Sequence, residues 1–284
     1  MPPRQFTRLS QRIEDRLVQR NIRHMQTLQA GLMPGYLLRA AKSITHCQGN
    51  ILIATGFPVN NSVETDGPLG AIALYQALHS LDKACTLLCP EPLFSIVEQT
   101  FQIRSVALNT NNLSCAADEA REQLTALSPS LIISIEMPGL SPQGEYVNMR
   151  GDNISDACAC LDPIMRMATC PTIAIGDGGN EIGMGNVIPL VNQLDITPCV
   201  TCCDELVLAD VSNWGAYGLL AMLGVLNKRD LLVSFDPADA LAKLVKGGCL
   251  DGITGQSTLT EDSLPVNEGV ALIDDLRCIC GWQT

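Results

Sequence analysis

The chain has 284 residues, of which 46% are hydrophobic, enough for a buried core in one large domain or two small ones. Its 18 basic and 30 acidic residues give a net charge of −12, which disfavours nucleic acid and anionic membrane surfaces as partners. The sequence shows neither an apolar run of membrane-spanning length nor the features of a signal peptide. We therefore expect a soluble, cytoplasmic protein that acts on a small molecule, and the sequence is compatible with a homo-oligomer.

Thirteen cysteines are many for a cytoplasmic protein, so their spacing matters more than their number. The close pairs Cys158 and Cys160, Cys202 and Cys203, and Cys278 and Cys280 lack the C-x-x-C spacing of a zinc site or a redox pair. Most stand among apolar residues, and we interpret them as small core residues.

The first two dozen residues are rich in arginine. These arginines are Arg4, Arg8, Arg12, Arg16, Arg20 and Arg23. A transit peptide would explain them, but Glu14 and Asp15 stand among them, and apolar residues recur near helical spacing. We favour an amphipathic helix and expect residues 1–45 to form a helical extension of an α/β domain over residues 46–284.

Short apolar runs then alternate with longer segments of helical character, a pattern typical of an α/β fold with a mainly parallel sheet flanked by helices. The predicted strands are 50–55, 84–89, 131–135, 172–175 and 206–209. The predicted helices are 68–81, 154–168, 214–226 and two parts of the tail after residue 236, separated by the glycine-rich stretch 247–255. We expect Pro68 in the first turn of its helix, and Asp152 or Asn153 as the cap of helix 154–168.

Acidic residues stand near the ends of several predicted strands. Glu64 and Asp66 lie in the loop after the first strand, while Glu136, Asp177 and Asp210 follow later strands. Because the carboxyl ends of parallel strands meet at one edge of a sheet, these residues are expected to share a cleft there. Clustered carboxylates repel one another, so a metal ion or a substrate ammonium is the expected partner. For Asp210, helix capping and ligand binding remain equally open.

The run 173–185, IAIGDGGNEIGMG, is the most informative stretch, because an apolar strand ends there in closely spaced glycines and two carboxylates, Asp177 and Glu181. A dinucleotide-binding fingerprint that begins at Gly176 would require glycine where Glu181 stands, and a P-loop would require lysine where Met184 stands. A plain tight turn is the alternative. Carboxylate oxygens suit Mg²⁺, Mn²⁺ or an ammonium group, so the run favours a site for one of these cations.

Arg150 lies in a polar loop after Glu136 and is a candidate for binding a substrate carboxylate. Its planar guanidinium can hold a carboxylate through two parallel hydrogen bonds. The alternative is a surface arginine paired with an acid.

With these loops side by side, the chain resembles the D-glutamate cyclase family, specifically the domain that forms the C-terminal part of its longer members. The matching segments are 56–58, 64–70, 134–139, 146–151, 176–185, 212–217 and 251–255. The resemblance implies conversion of D-glutamate to 5-oxo-D-proline with loss of water, and a divalent metal in the acidic loops. One departure is that longer members carry an additional, hydro-lyase-like N-terminal domain, for which this chain has no counterpart.

The chemistry of lactam closure suggests roles for the candidate residues. A base must take protons from the ammonium, a Lewis acid must neutralise the carboxylate under attack, and the other carboxylate must be held. We predict that Glu136 and Asp177 are catalytic. The predicted metal ligands are Glu64, Asp66, Asp177 and Glu181, with Mn²⁺ or Mg²⁺ as the ion. The predicted substrate-binding residues are Arg150, Asn148, Asn180, Gly178 and Gly179.

Two other functions stay open. A metal-dependent phosphoesterase also uses acidic residues at the strand ends of an α/β sheet. The three histidines of the chain, none of them in the glycine-acid loops, weaken this alternative. The second alternative is a non-catalytic module that binds an amino acid or a nucleotide.

Overall fold

The computed structural model describes residues 2–108 and 113–282. Its helices are α1 (Pro3–Leu17), α2 (Met25–Gln29), α3 (Tyr36–His46), α4 (Pro68–Ser80), α5 (Leu93–Phe101), α6 (Leu113–Leu127), α7 (Asp162–Met167), α8 (Ile188–Val191), α9 (Ser212–Asn227), α10 (Pro237–Gly247) and α11 (Val266–Cys280). Its strands are β1 (Asn50–Thr55), β2 (Pro58–Val59), β3 (Ser62–Val63), β4 (Cys85–Cys89), β5 (Ser105–Ala107), β6 (Pro129–Ile135), β7 (Thr172–Gly176), β8 (Glu205–Leu208), β9 (Thr260–Glu261) and β10 (Leu264–Pro265).

Six strands form one sheet in the order β5-β4-β1-β6-β7-β8, and every neighbouring pair is parallel. The chain runs outward from β1 through β4 to β5 and then returns to place β6 on the other side of β1. The loops that follow β1 and β6 therefore leave the sheet in opposite directions. In open α/β sheets, such a topological switch point opens the crevice in which ligands bind.

Both faces of the sheet are buried, as expected of a parallel sheet covered by helices. Because side chains alternate along a strand, Ile51 and Ile53 of β1 pack on one face, among residues of α1, α3, α4, α9, α10 and α11. Leu52 and Ala54 pack on the other face, among residues of α2, α7 and α8. Helix α9 is buried along most of its length, and α1, α3, α4 and α11 all contact it.

The sequence predicted this architecture well, because the apolar β-prone runs alternate with segments of helical character along the chain. The α/β fold is confirmed, as are all five predicted strands, with bounds that differ by at most two residues. The helices predicted at 68–81, 214–226 and in the two parts of the tail are confirmed as α4, α9, α10 and α11. The first helix is also present, but it ends at Leu17.

The helix predicted over residues 154–168 is wrong. A single 3₁₀ turn, Ser155–Ala157, is followed by a separate short helix, α7. Pro163 explains the break, since proline lacks the N–H of a helix interior but fits the first turn, where it stands in α7. Neither Asp152 nor Asn153 is the cap, a position occupied by Ile154 for the turn and Leu161 for α7.

The cysteines are reduced, and their burial only partly matches their interpretation as core residues. Those fully buried are Cys85, Cys89, Cys158, Cys160, Cys199 and Cys249, whereas Cys115, Cys202 and Cys278 are exposed. Among the residues that the structure describes, no helix has both the length and the apolar character needed to cross a bilayer.

Candidate functional site

An open cavity of about 470 Å³, which includes the space at its mouth, lies at the carboxyl edge of the sheet. The loops after β1, β6 and β7 and the loops at 148–150, 252–253 and 262 enclose it. Its lining residues are Arg23, Phe57, Glu64, Glu136, Asn148, Met149, Arg150, Asp177, Asn180, Glu181, Gly252, Ile253 and Asp262.

Asp66 belongs to the loop before α4, and its carboxylate lies at the N-terminus of helix α9. Its Oδ2 accepts a hydrogen bond from Ser212 N (2.9 Å), and its Oδ1 accepts hydrogen bonds from Asn213 N (2.7 Å) and Gly67 N (2.9 Å). The free backbone N–H groups and the positive end of the helix dipole favour a carboxylate at this position. The burial of Asp66 nevertheless raises its pKa to about 7, with Asp262 adding repulsion and these hydrogen bonds opposing it.

Glu136 directly follows β6 and has a left-handed backbone (φ 47°), an uncommon conformation that marks a tightly determined position. Its N–H donates to Ile175 O, and its Oε2 accepts a 2.5 Å hydrogen bond from Ser212 Oγ. Gly67 makes this position possible, because a Cβ there would lie 2.7 Å from the Cβ of Glu136. The two strand-end loops of the switch point are therefore in direct contact.

The glycine-acid loop after β7 folds around Glu181. Gly179 N donates to Glu181 Oε2 (2.7 Å), and a Cβ on Gly178 would lie 2.5 Å from Glu181 Oε1. These glycines thus allow the backbone to approach a carboxylate of the same loop. Asn180 donates from Nδ2 to Val147 O (2.9 Å), but its buried Oδ1 has no hydrogen-bond partner among the described residues.

Arg23 enters the cavity from the segment after α1, and the sequence analysis did not identify it. Its Nη2 lies 2.5 Å from Asp177 Oδ2 and 2.6 Å from Asp262 Oδ2. Its Nε donates to Asp177 O (2.9 Å), and Nη2 donates to Asp210 O (3.0 Å). The carboxylate of Asp210 accepts from the backbone N–H groups of residues 20 and 22, so it neither caps α9 nor lines the cavity. It fixes the segment that carries Arg23.

Two groups of three carboxylates meet at Asp177. We call Asp66, Asp177 and Asp262 the arginine-side triad, since Arg23 contacts two of its members, and Glu136, Asp177 and Glu181 the open triad. In each triad the three residues offer oxygen atoms that lie within 4.8 Å of one another, close enough to ligate one metal ion. Asp66 is not part of the cavity wall, but its carboxylate belongs to the first group.

The carboxylates of the open triad are almost fully buried, and this burial is the main cause that raises their pKa values. It raises the pKa of Glu136 well above its usual range, and Glu181, Glu64 and Asp66 add repulsion. Burial also raises the pKa of Asp177, although the charge of Arg23 acts in the opposite direction. The pKa of Glu64, at the cavity wall, is raised for the same reasons. Protons or cations must therefore compensate the cluster, as its residue types predicted.

The loop after residue 147 forms the mouth of the cavity. Asn148 folds this loop, since its Oδ1 accepts from Arg150 N (2.9 Å) and Asp152 N (3.0 Å). The Arg150 side chain is 72% exposed and pairs loosely with Asp152 at 3.4 Å. Its guanidinium is available to a ligand at the mouth, in contrast to that of Arg23.

The structure thus brings together seven of the predicted site residues on one cavity wall and Asp66 beside it. The wall residues are Glu64, Glu136, Asn148, Arg150, Asp177, Asn180 and Glu181. Gly178 and Gly179 are in backbone contact with the carboxylate of Glu181. The cavity wall also contains residues that no sequence pattern marked as part of a site: Arg23, Asp262 and the apolar Phe57, Met149 and Ile253. A hard-oxygen donor set and the orphaned Asn180 Oδ1 both fit a divalent ion.

Comparison with known proteins shows to which family the chain belongs. A family model described as "D-glutamate cyclase-like, C-terminal" matches residues 13–277, nearly the whole chain. The chain belongs to this family. A human protein named "D-glutamate cyclase, mitochondrial" is 32% identical over 215 residues, which cover 67% of this chain. The chain matches only 35% of that protein's length, about a third.

Proposed function

We propose that the chain converts D-glutamate to 5-oxo-D-proline and water, with one divalent ion, Mn²⁺ or Mg²⁺, bound in the acidic cavity. The observation that carries this proposal is the pair of carboxylate triads that share Asp177, in a chain of the D-glutamate cyclase-like family. The name of the human relative supports the substrate. Phosphoester hydrolysis has weaker support, because none of the three histidines lines the cavity.

The ion would be held by Asp177 and Glu181, with Glu64 as a further candidate ligand. Asp66 would lie beside the ion, but its two oxygens already accept backbone hydrogen bonds. The ion would act as a Lewis acid on the carboxylate that is attacked and would neutralise part of the cluster's charge. This neutralisation matters, since glutamate carries a net negative charge and the cavity wall carries five acidic residues against two arginines. Those acids are Glu64, Glu136, Asp177, Glu181 and Asp262.

The reaction forms a bond between the α-nitrogen and the γ-carboxyl carbon and breaks a C–O bond. The ammonium loses two protons, and the departing oxygen gains two, so no external acid or base is consumed. We assign this transfer to Glu136, a member of the open triad, because burial raises its pKa well above the usual range and so favours a carboxyl that can hold a proton as well as release one. Ser212 Oγ holds Glu136 Oε2 and leaves the other oxygen for the substrate.

Arg150 and Asn180 would hold the substrate. Arg150 is weakly engaged at the mouth and can take the α-carboxylate, whereas the guanidinium of Arg23 is already bound by carboxylates. The orphaned Oδ1 of Asn180 can accept a hydrogen bond from the substrate ammonium. Together they would bring the nitrogen toward the far carboxyl carbon, and this folding of the substrate supplies much of the rate of an intramolecular reaction.

The direct test is the formation of 5-oxoproline from D-glutamate by the Mn²⁺-loaded protein, followed by chromatography against an enzyme-free control. We expect faster turnover of D- than of L-glutamate. Glu136→Gln, which keeps the shape and removes the base, should lower kcat at least about 100-fold. Asp275→Asn, which changes an exposed carboxylate far from the cavity, is the matched control and should leave kcat unchanged.

Absence of product above the enzyme-free control, with folded and metal-loaded protein, would rule out the cyclase activity of this chain. Release of phosphate from phosphoesters by the same sample would favour the phosphoesterase instead. Binding of an amino acid without turnover would favour the non-catalytic module.

A further inference from the structure

Arg23 occupies a place where a cation is required. Its guanidinium lies between Asp177 and Asp262 of the arginine-side triad, 2.5 and 2.6 Å from their oxygens. The three carboxylates of this triad offer oxygens within 4.8 Å of one another, the spacing of a metal site. The open triad has the same spacing and shares Asp177, but Arg23 makes no ion pair or hydrogen bond with its other two members, Glu136 and Glu181. Adjoining positions with a shared carboxylate are the arrangement of two-metal sites.

We propose that the cavity is a two-cation site in which Arg23 permanently fills one position, so that a single divalent ion binds on the side of the open triad, at Asp177 and Glu181. The identity of that ion rests on the proposed function. The location of Arg23 and its effect on the number of ions do not.

The charge of Arg23 is permanent. Burial favours its neutral form, but the carboxylates of Asp177 and Asp262 raise its pKa well above the usual range. Its Nε and Nη2 also donate to the backbone oxygens of Asp177 and Asp210, so the side chain is held from several directions. A divalent ion would have to displace all these contacts to enter the arginine-side triad. At the open triad the ion would share only Asp177 with Arg23.

The backbone that carries Arg23 is strained in a way that a surface arginine would not require. Asn21, Arg23 and His24 all have left-handed φ values, 54°, 53° and 62°. Such a conformation is unfavourable for a non-glycine residue, and it persists only where the surroundings enforce it. The Asp210 carboxylate enforces it through its hydrogen bonds to the N–H groups of Arg20 (2.7 Å) and Ile22 (2.9 Å).

A second observation indicates a ligand on the other side of Asp177. Asn180 is only 1% exposed and lines the cavity next to Glu181, yet its Oδ1 lacks a partner among the described residues. An orphaned buried oxygen carries a desolvation cost that a bound ligand removes. The unsatisfied group is therefore on the side of the open triad, while the arginine-side triad already has its cation.

The test counts bound Mn²⁺ by native mass spectrometry in the wild type, Arg23→Ala, Arg23→Lys and Arg20→Ala. We expect one ion per chain in the wild type and two in Arg23→Ala, which vacates the arginine-side triad. Arg23→Lys keeps the charge and should bind one ion. Arg20→Ala is the matched control, because Arg20 belongs to the same segment but lies over the Trp214 ring and pairs with Glu268 outside the cavity. It should also bind one.

An independent readout is the electron paramagnetic resonance spectrum of Mn²⁺. Two ions that share the Asp177 carboxylate should show exchange coupling in Arg23→Ala, and the wild type should show the spectrum of an isolated ion. If Arg23→Ala does not fold, Arg23→Gln serves in its place, since it removes the charge but keeps a hydrogen-bond donor. Circular dichroism and the melting temperature establish that each variant is folded.

Equal ion counts in the wild type and the folded, neutral Arg23 variants would overturn the proposal, as would two ions in the wild type. A count that rises from none in the wild type to one in Arg23→Ala would also overturn the proposal, since the open triad of the wild type would then bind no ion, and it would contradict the ion of the proposed function. A rise from one to two without any 5-oxoproline formation would support the two-cation site and reject the cyclase activity. The two proposals can thus fail separately.

Discussion

Ser212 Oγ donates a 2.5 Å hydrogen bond to Glu136 Oε2 and so joins the first residue of α9 to the residue that follows β6. A hydrogen bond to the ionised form of a carboxylate lowers its pKa, and Ser212 opposes the effect of burial on Glu136 in this way.

Ser212→Ala should therefore raise the pKa of Glu136 further, because it removes the bond that favours the ionised form. If Glu136 is the base, the acid limb of the kcat/KM profile moves to higher pH, and kcat at neutral pH falls up to about tenfold, the effect of losing one hydrogen bond to a charged group. Initial rates of 5-oxoproline formation over a pH series measure both effects. Ser212→Thr, which keeps the hydroxyl, should restore the profile, and an unshifted profile in Ser212→Ala would argue against Glu136 as the base.

The buried side chain of Asn213 connects helix α9 to two other segments of the chain, residues 65–70 and strand β9. Its Oδ1 accepts from Gly67 N (2.9 Å) and Gly70 N (2.7 Å), and its Nδ2 donates to Thr65 O (3.1 Å) and Glu261 Oε2 (2.8 Å).

Asn213→Ala should lower the free energy of unfolding by about 3 kcal/mol or more, since it leaves several buried polar groups unpaired at about 1–3 kcal/mol each. Urea denaturation followed by circular dichroism measures the change. Asn227→Ala is the matched control at the other end of α9, where the side chain makes one bond, to Leu223 O, and should cost about 1 kcal/mol. Equal losses in the two variants would contradict the role of Asn213.

Mn²⁺ or Mg²⁺ should raise the melting temperature, because an ion that binds only the folded chain stabilises it by mass action, by about 2.7 kcal/mol at a concentration 100 times Kd. Asp177→Asn, which keeps the shape of the residue that both triads share, should abolish the rise. Asp275→Asn should retain it. Differential scanning calorimetry at several metal concentrations gives the comparison, and an equal rise in all three proteins would locate the ion outside the cavity.

Glu261→Gln should flatten the dependence of stability on pH. Burial, with repulsion from Asp66, raises the pKa of Glu261 to about 8, and one of its oxygens has no partner among the described residues. A carboxyl whose pKa is raised by folding contributes stability that is fully present below its unfolded pKa, about 4.3, and is lost as pH rises through about 8.

The wild type should therefore lose more stability than Glu261→Gln between pH 5 and about 8.5. The amide that this substitution introduces keeps an oxygen for the bond from Asn213, so the two proteins should differ little at pH 5. Melting temperatures over this range provide the test. Parallel curves for the two proteins would show that Glu261 ionises normally.

The sequence was informative wherever local pattern decides structure. Strands such as Leu131–Ile135 are continuous apolar runs, and both their existence and their parallel arrangement follow from burial on two faces. The convergence of Glu136, Asp177 and Glu181 follows in turn, since parallel strands end at one edge. Helix 154–168 was mispredicted because Pro163 stands in its interior, where a helix needs a backbone N–H that proline lacks.

The rest depended on contacts between distant parts of the chain. Arg23 follows Arg20 by three residues, close to the four-residue spacing of the arginines before it, and nothing in the sequence marks that α1 ends at Leu17 and that the following segment turns into the cavity. Asp262 is brought to the site because Leu250 pairs with Glu64, and Asp251 fixes the following loop through Thr254 N and Ser263 N. A single sequence contains no record of such pairings.

The loops that build this cavity come from almost the full length of the chain, from Arg23 to Asp262. During synthesis the ribosome releases Arg23 early, yet its carboxylate partners at positions 177 and 262 are made much later. Arg23 can therefore complete its ion pairs only after most of the polypeptide has been synthesised. A fragment that stops before residue 262 can complete much of the sheet and still lack the cavity, so ligand binding would report the arrival of the final loop rather than the folding of the sheet.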